Sequence, residues 1–445
     1  MSEAQPPDGI EPNRRPTADG TGFGATNGSL FARASQVLVG GVNSPVRAFR
    51  SVGGTPYFVA RGRGARVWDV EGREYLDYVQ SYGASILGHA DPYVVATMQE
   101  AATQGSTFGA PTFREVLLAE AIIERVPGLE MVRMCSSGTE ATMSAIRLAR
   151  GITGRSKVIK FAGCYHGASD SLLAAGGSGV ANQGLPGSDG VPPSAVADTI
   201  VAPFNVIPDI GPDVAVVAVE PIAANMGLVA PAPGFLDGLR KACDAVGALL
   251  LFDEVITGFR LGAGGATVWS GVIPDIWAFG KIIGGGMPVG AFGGTVQVMS
   301  HLAPLGPVYQ GGTLSGNPMA TAAGLAVLQQ CTPDRYLALS ATAQRLAAGL
   351  QEAIRGAGLP AQVPVVGTLV GMHLGTQPVT NFDEAKAANE AGLYAPFFHE
   401  MLRQGIAMAP GAYEALFPSF AHTESDIDRT IEAAGIAAAT VVKTL

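Results

Sequence analysis

The stretch ALLLFDEVITGFR at 248–260 sets five apolar residues ahead of two carboxylates, Asp253 and Glu254, and DIWAFGK at 275–281 ends a second apolar run on Lys281. Each run is short and apolar throughout, so both read as strands covered on two faces. The 28 residues from Asp253 to Lys281 suit one strand–helix–strand step. KVIKF (157–161) and AVVAV (215–219) repeat the pattern upstream. Between or before these runs, apolar residues fall at helical spacing: Leu117, Leu118, Ala121 and Ile122 within 114–126, and Phe235, Leu239, Ala242, Cys243 and Val246 within 234–246. Strands alternating with helices predict an α/β chain on a large, mostly parallel sheet. Ligands of such sheets sit at the carboxyl ends of the strands, so function should be read from the residues just after each apolar run.

Asp253 has three readings. As a metal-holding carboxylate of a nucleotide site it needs a phosphate loop GxxxxGK[ST], and the chain has none. As a cap on the next helix it needs nothing further. The third reading pairs it with Lys281, which precedes Ile282, Ile283 and the glycines 284–286. An ammonium there is poorly solvated, which lowers its pKa and leaves an amine able to form a Schiff base. Pyridoxal phosphate requires this pair: a lysine for its aldehyde carbon, and a carboxylate on the neighbouring strand to keep its pyridine nitrogen protonated.

A phosphate also needs a cradle. Ser136-Ser137-Gly138-Thr139 follows the strand-like EMVRMC and opens a helix carrying Ala141, Ala145, Ile146 and Leu148. Hydroxyls and free N–H groups at a helix start make an anion site, although such residues also cap helices with no ligand present. Tyr165 and His166 follow KVIKF, where an aromatic ring can stack on a pyridine. Cradle, stacker, carboxylate and lysine occur in that order, each after a strand, and the combination carries the assignment.

Working outward, residues 56–80 show turn signals at Gly62, Gly64 and Gly72 between short alternating runs, which predicts a small antiparallel meander. After about residue 335 the pattern becomes helix, strands and a terminal helix from about Glu424. The expected division is a flexible tail at 1–25, an N-terminal helix and small sheet at 26–82, a large cofactor-binding domain at 83–335 and a smaller α+β domain at 336–445. The first 25 residues carry no apolar core of a secretory signal. Residues 282–333 contain no Asp, Glu, Lys or Arg, but 11 Gly and 5 Pro exclude a spanning helix. That run instead implies backbone packed in a core, in a subunit interface or against a ligand.

Composition narrows the classes. With 47% apolar and 15% charged residues the bulk of the chain is not disordered. A net charge of −9 argues against nucleic acid or an anionic membrane as partner. Cys135, Cys164, Cys243 and Cys331 form no CxxC pair, and the six histidines form no HxxxH pattern, so no metal centre and a reducing, cytoplasmic compartment are expected.

The segments GGVNSPVRAF (40–49), FGAPT (108–112), SSGTEATMSAIRLAR (136–150), GCYHG (163–167), AGGSGVA (175–181), EPIAANMG (220–227), GKIIGGGMPVGAFGG (280–294) and GPVYQGGTLSGNP (306–318) complete a pattern. Over roughly residues 28–440 the chain resembles the glutamate-1-semialdehyde 2,1-aminomutases, class III aminotransferase-like enzymes of the fold-type-I pyridoxal phosphate group. DEV and GK alone indicate only the wider group; VNSPVRAF, NMG and YQGGTLSGNP narrow it.

The resemblance implies that Lys281 forms the Schiff base and moves protons, and that Asp253 pairs with the pyridine nitrogen. It implies phosphate binding by Ser137, Gly138 and Thr139, joined by Thr313 of the partner subunit of a homodimer. Tyr165 would stack on the ring, beside His166, and Asn225 would lie near its phenolic oxygen. Arg47 would hold the substrate carboxylate. Ser178 would lie in a cover over the site, and Glu414 would face the substrate amino end. Gly, Ser and Pro supply 14 of the 29 residues 168–196, as suits a mobile cover.

The chain departs from the family at Tyr82, usually Trp and placed in the substrate pocket, and at Cys135, Ala168, Asp91 and the PGAYEA segment (410–415) around Glu414. None removes a group the reaction needs. The implied reaction turns (S)-4-amino-5-oxopentanoate into 5-aminolevulinate for tetrapyrrole synthesis, with pyridoxal phosphate cycling through pyridoxamine phosphate. The upstream semialdehyde-producing reductase is an implied partner. The rival reading is an omega- or beta-amino-acid transaminase using a keto acid, many of which carry an arginine in the C-terminal strand segment. Here no Arg occurs between Arg403 and Arg429, and Glu414 lies there instead. A catalytically dead scaffold is the other rival, and retention of both Lys281 and Asp253 speaks against it.

Overall fold

The computed structural model describes residues 25–174 and 187–445. The short runs between glycines form β1 (Val59–Arg63), β2 (Arg66–Asp69) and β3 (Glu74–Asp77), an antiparallel meander as expected. The large sheet then takes β4 (Met131–Cys135), β5 (Lys157–Phe161), β6 (Thr199–Ala202), β7 (Val214–Val219), β8 (Leu249–Asp253), β9 (Ile276–Phe279) and β10 (Gly290–Gly294). Its order is β4-β10-β9-β8-β7-β5-β6. Neighbours from β9 to β6 are parallel, and β10 alone runs against both of its neighbours.

All six residues of β7 are buried, because helices cover both faces of the sheet. Val217, Val219, Leu250 and Phe252 pack with Phe235, Leu239 and Cys243 of the helix Phe235–Val246. Val216, Ala218 and Leu251, facing the other way, pack with Ala141, Ala145 and Leu148 of the helix Gly138–Thr153. The helix expected within 114–126 spans Phe113–Ile123. The uncharged run divides in two. Its β10 and the helix Pro318–Gln330 are core, whereas Leu305, Tyr309 and Leu314 are exposed.

Beyond the large sheet come β11 (Val365–Val366), β12 (Leu369–Val370) and β13 (Ile406–Ala407). Strand β13 pairs in parallel with β3, which extends the N-terminal meander with a C-terminal strand. One core follows the same pairing: Phe49, Leu76 and Tyr78 pack with Leu346, Leu350, Phe397, Phe398 and Ile427. The Tyr78 and Thr430 hydroxyls lie 2.8 Å apart, and Arg66 meets Asp426 at 2.5 Å. Segments 26–82 and 336–445, separate in the sequence reading, therefore share a sheet and a core. Among the described residues no helix is long and apolar enough to cross a membrane.

Candidate active site

The carboxyl ends of five strands open on one cavity of about 220 Å³. Strand β4 leads to Ser137, whose hydroxyl accepts from the Glu140 N–H at 3.1 Å and so caps the helix Gly138–Thr153. The first N–H groups of that helix have no intrahelical partner and form an anion-attracting end. Gly138 lets this end approach the loop after β8, since a Cβ there would stand 3.0 Å from both methyls of Val255. Thr139 meets the loop after β5, where its hydroxyl accepts from the Ala168 N–H at 3.3 Å. Ser137, Gly138 and Thr139 all line the cavity.

Strands β8 and β9 are neighbours, and they bring Asp253 and Lys281 to the same cavity. Asp253 is buried; one carboxylate oxygen accepts from the Val255 N–H at 3.1 Å, and the other lies 2.7 Å from His166 Nδ1. His166 is buried too, and its Nε2 has no partner among the described residues. Burial lowers the His166 pKa against the opposing pull of Asp253. The sequence reading grouped His166 with the ring-stacking Tyr165, whereas its geometry makes it a neighbour of the carboxylate. Lys281 has a left-handed backbone, φ 49°, unusual for a residue with a side chain. Burial lowers its pKa, while the charges of Glu414, Asp253 and Glu220 oppose that shift and the charge of Arg260 adds to it.

Glu220 was not singled out from the sequence, although it follows the apolar run 215–219 directly and so met the criterion applied to the other strands. It is buried and accepts from the Tyr165 N–H at 2.6 Å, the Asn225 side-chain amide at 2.8 Å and the Ala224 N–H at 3.0 Å. Burial pushes its carboxyl up to about 8, the Asp253 charge adding to the effect and the three donors opposing it. Tyr165 and Asn225, both lining the cavity, are thus held by one acid.

Arg47 and Tyr82 line a separate, wider cavity of about 640 Å³. Tyr82 feels the charges of both Glu414 and Arg47, the first raising and the second lowering its pKa, beneath a larger upward shift from burial. Glu414 also acts on Tyr165 and Lys281, so its charge reaches both cavities. Thr313 is exposed within this chain and lines neither cavity; it borders a third with residues 107–112. Ser178, with the rest of residues 175–186 of the expected cover, lies outside the described residues. No group of three or more His, Cys, Asp and Glu able to hold a metal occurs among the described residues.

A family model for aminotransferase class-III matches residues 49–432. The glutamate-1-semialdehyde 2,1-aminomutase of Bordetella avium is 53% identical over 91% of this chain and 97% of its own length. Among solved structures, an omega-transaminase from Sphaerobacter thermophilus superposes with a TM-score of 0.86 at 36% identity, covering 94% of this chain and 98% of that one. A glutamate-1-semialdehyde-aminomutase from Pseudomonas aeruginosa gives 0.82 at 27% identity, covering 93% and 94%. A variant of the Pseudomonas enzyme has been solved in complex with PMP.

Proposed function

The chain belongs to the class-III aminotransferase family, and from that premise we propose that it is a pyridoxal-phosphate-dependent glutamate-1-semialdehyde 2,1-aminomutase. It moves the amino group of (S)-4-amino-5-oxopentanoate within one molecule to give 5-aminolevulinate for tetrapyrrole synthesis. The observation that carries this reading is the meeting of Lys281, Asp253 and the 137–139 cradle at one cavity, with an acid, Glu414, acting on Lys281 from a segment that has no arginine between Arg403 and Arg429.

The cavity suits the cofactor on its own chemistry. It has a capped helix start for a phosphate, an amine of lowered pKa, and a buried carboxylate held by backbone and by His166. When bound, pyridoxal phosphate supplies the aldehyde and the electron sink. Ser137, Gly138 and Thr139 would hold its phosphate, and Tyr165 and Asn225, which line the same cavity, would contact its ring and its phenolic oxygen. Asp253 would favour a positive charge on the cofactor's pyridine nitrogen, and His166, donating from Nδ1 to one carboxylate oxygen, would leave the other to do so. Lys281 would take and return protons at Nζ, a task that the lowering of its pKa by burial favours. Arg47 would bind the substrate carboxylate and Glu414 orient its amino end, and the charges of both act on Tyr82.

We further propose a cytoplasmic homodimer. The exposed, uncharged segment with Leu305, Tyr309 and Leu314 is its contact surface, and through it Thr313 of the partner subunit reaches the cradle. A reductase producing the semialdehyde is the upstream partner in this reading. The omega-transaminase reading keeps one support, the structural likeness to the Sphaerobacter enzyme. One assay separates the two. Enzyme loaded with the aminated cofactor and given only the semialdehyde should make 5-aminolevulinate over many turnovers. Production that stops after one equivalent, and resumes with 2-oxoglutarate or pyruvate, would establish a transaminase instead.

A further inference from the structure

Arg260 closes the motif that begins at Asp253, and nothing above gives it a task. Its side chain is fully buried. The guanidinium donates from Nη2 to the Gly83 carbonyl and from Nη1 to the Pro418 carbonyl, each at 2.8 Å, while Nε has no partner among the described residues. Its hydrogen-bond acceptors are thus backbone carbonyls, and the ring of Phe417 lies 5.6 Å from its Cζ. A buried cation held this way is costly, and a neutral amide could tie two carbonyls at lower desolvation cost.

What the two carbonyls belong to gives the cation its use. Gly83 ends a turn in which Gln80, Ser81 and Tyr82 all take left-handed backbone, φ 42°, 53° and 55°. Backbone of this kind is strained in a residue with a side chain and persists only where its surroundings enforce it. Pro418 lies four residues after Glu414, in a segment fixed by exchange of two hydrogen bonds between Leu416 and Val370. The Arg260 backbone is itself anchored, its carbonyl accepting from the Thr368 hydroxyl at 2.7 Å. We propose that Arg260 is a positioning residue for the substrate end of the site, one fork that holds the Tyr82 turn and the Glu414 segment in fixed relation. The charge has a second target, because it also bears on Lys281, where it favours the neutral amine against Glu414, Asp253 and Glu220.

The inference rests on the substrate-end reading given under Proposed function, and two variants separate its parts. Arg260→Lys keeps the charge and loses the fork; Arg260→Gln loses the charge. Hydrogen exchange followed by mass spectrometry needs no substrate. In Arg260→Lys the peptides covering 79–86 and 414–420 should both exchange faster, with the peptides of β7 and β8 unchanged. In the cofactor-free enzyme, peptide-resolved acetylation against pH should give Lys281 a higher midpoint in Arg260→Gln and an unshifted one in Arg260→Lys. With the semialdehyde, KM should rise on the order of tenfold in Arg260→Lys while kcat changes less. Unchanged exchange in either peptide, or a KM within about twofold of wild type, would overturn the proposal. Should Arg260→Gln fail to fold, exchange and KM in Arg260→Lys decide alone. A wild-type enzyme inert toward the semialdehyde would instead sink the reaction assigned, and the exchange result would still judge Arg260.

Discussion

At the cofactor end, Asp253 ends a strand and Ser137, Tyr165, Glu220 and Lys281 each follow one of the same sheet, whereas at the substrate end Arg47, Tyr82 and Glu414 come from three segments that meet through tertiary contacts. Strand register sets the first group. The hydrogen bonds of β7, β8 and β9 place Glu220, Asp253 and Lys281 on adjacent strands before any side chain acts. Side chains set the second group. Asp77 accepts from the Val79 N–H at 2.8 Å and the Gln80 N–H at 3.2 Å, and Arg260 holds the far end of the same turn. A substitution at the cofactor end should therefore remove chemistry and leave geometry. One at the substrate end should shift geometry and leave the cofactor bound.

The strongest test of that contrast is Lys281→Ala. Turnover should fall on the order of 10³-fold or more, and the borohydride-reducible link to the cofactor should disappear. Mass spectrometry after reduction of the wild-type enzyme should find the cofactor on Lys281; label on another lysine would overturn the assignment. Next comes Asp253→Asn, which removes the charge from an acid whose two hydrogen-bond partners, Val255 N–H and His166, hold it in place. A carboxylate opposite a buried cation is worth roughly one to three pKa units, so turnover should drop about 10- to 10³-fold with the fold intact. Thermal melting near the wild-type value together with wild-type turnover would remove Asp253 from the mechanism.

The same contrast explains what the sequence could disclose. The runs 215–219 and 248–252 are wholly apolar and 275–279 is apolar after Asp275, because the strands are buried on both faces, so composition alone marks them, while 157–161 carries Lys157 and Lys160 among its apolar residues. Once they are strands, chemistry at their carboxyl ends follows from topology. Glu220 meets that rule as well, but a Glu-Pro pair after a strand is equally compatible with an ordinary turn, so the sequence alone does not single it out. The substrate end carries no such periodic mark. Left-handed backbone at Ser81 and Tyr82 has no glycine to announce it, and Arg260 reaches Gly83 across 177 positions of sequence. Likewise β13 joins the meander through two residues, too few to show a period.

Glu220 belongs to the cofactor end but acts through others, so its removal should show most clearly in pH dependence. Its carboxyl titrates near 4.5 when unfolded and is pushed up to about 8 in the fold, mainly by burial. Between those values the unfolded chain has released a proton that the folded chain keeps. Rising pH therefore weakens the wild type across this window and leaves Glu220→Gln untouched by this group. The melting temperature of the cofactor-free wild type, measured against that of Glu220→Gln, should fall from about pH 4.5 to about pH 8 and level off beyond. A wild type whose stability relative to the variant stays flat over this range would mean that Glu220 is ionised in the fold throughout it, with the Tyr165 and Asn225 donors outweighing burial.

The smallest expected effect lies at the substrate end and is the most discriminating for the contrast. Tyr82 feels Arg47 and Glu414 at once, and burial raises its hydroxyl well above the usual phenol range, so it stays protonated at any working pH. It can only donate or accept a hydrogen bond there. Tyr82→Phe keeps the ring and the volume and leaves the turn held by Asp77 and Arg260, so nothing should move at the cofactor end. A single neutral hydrogen bond is worth about 0.5–1.5 kcal/mol, which sets a rise in KM of roughly two- to tenfold. The cofactor absorbance and its pH dependence should match the wild type, and kcat should change less than KM. An altered spectrum in Tyr82→Phe would mean that the two ends are one hydrogen-bonded unit, and the division between a register-built and a side-chain-built half would fail at the residue where they meet.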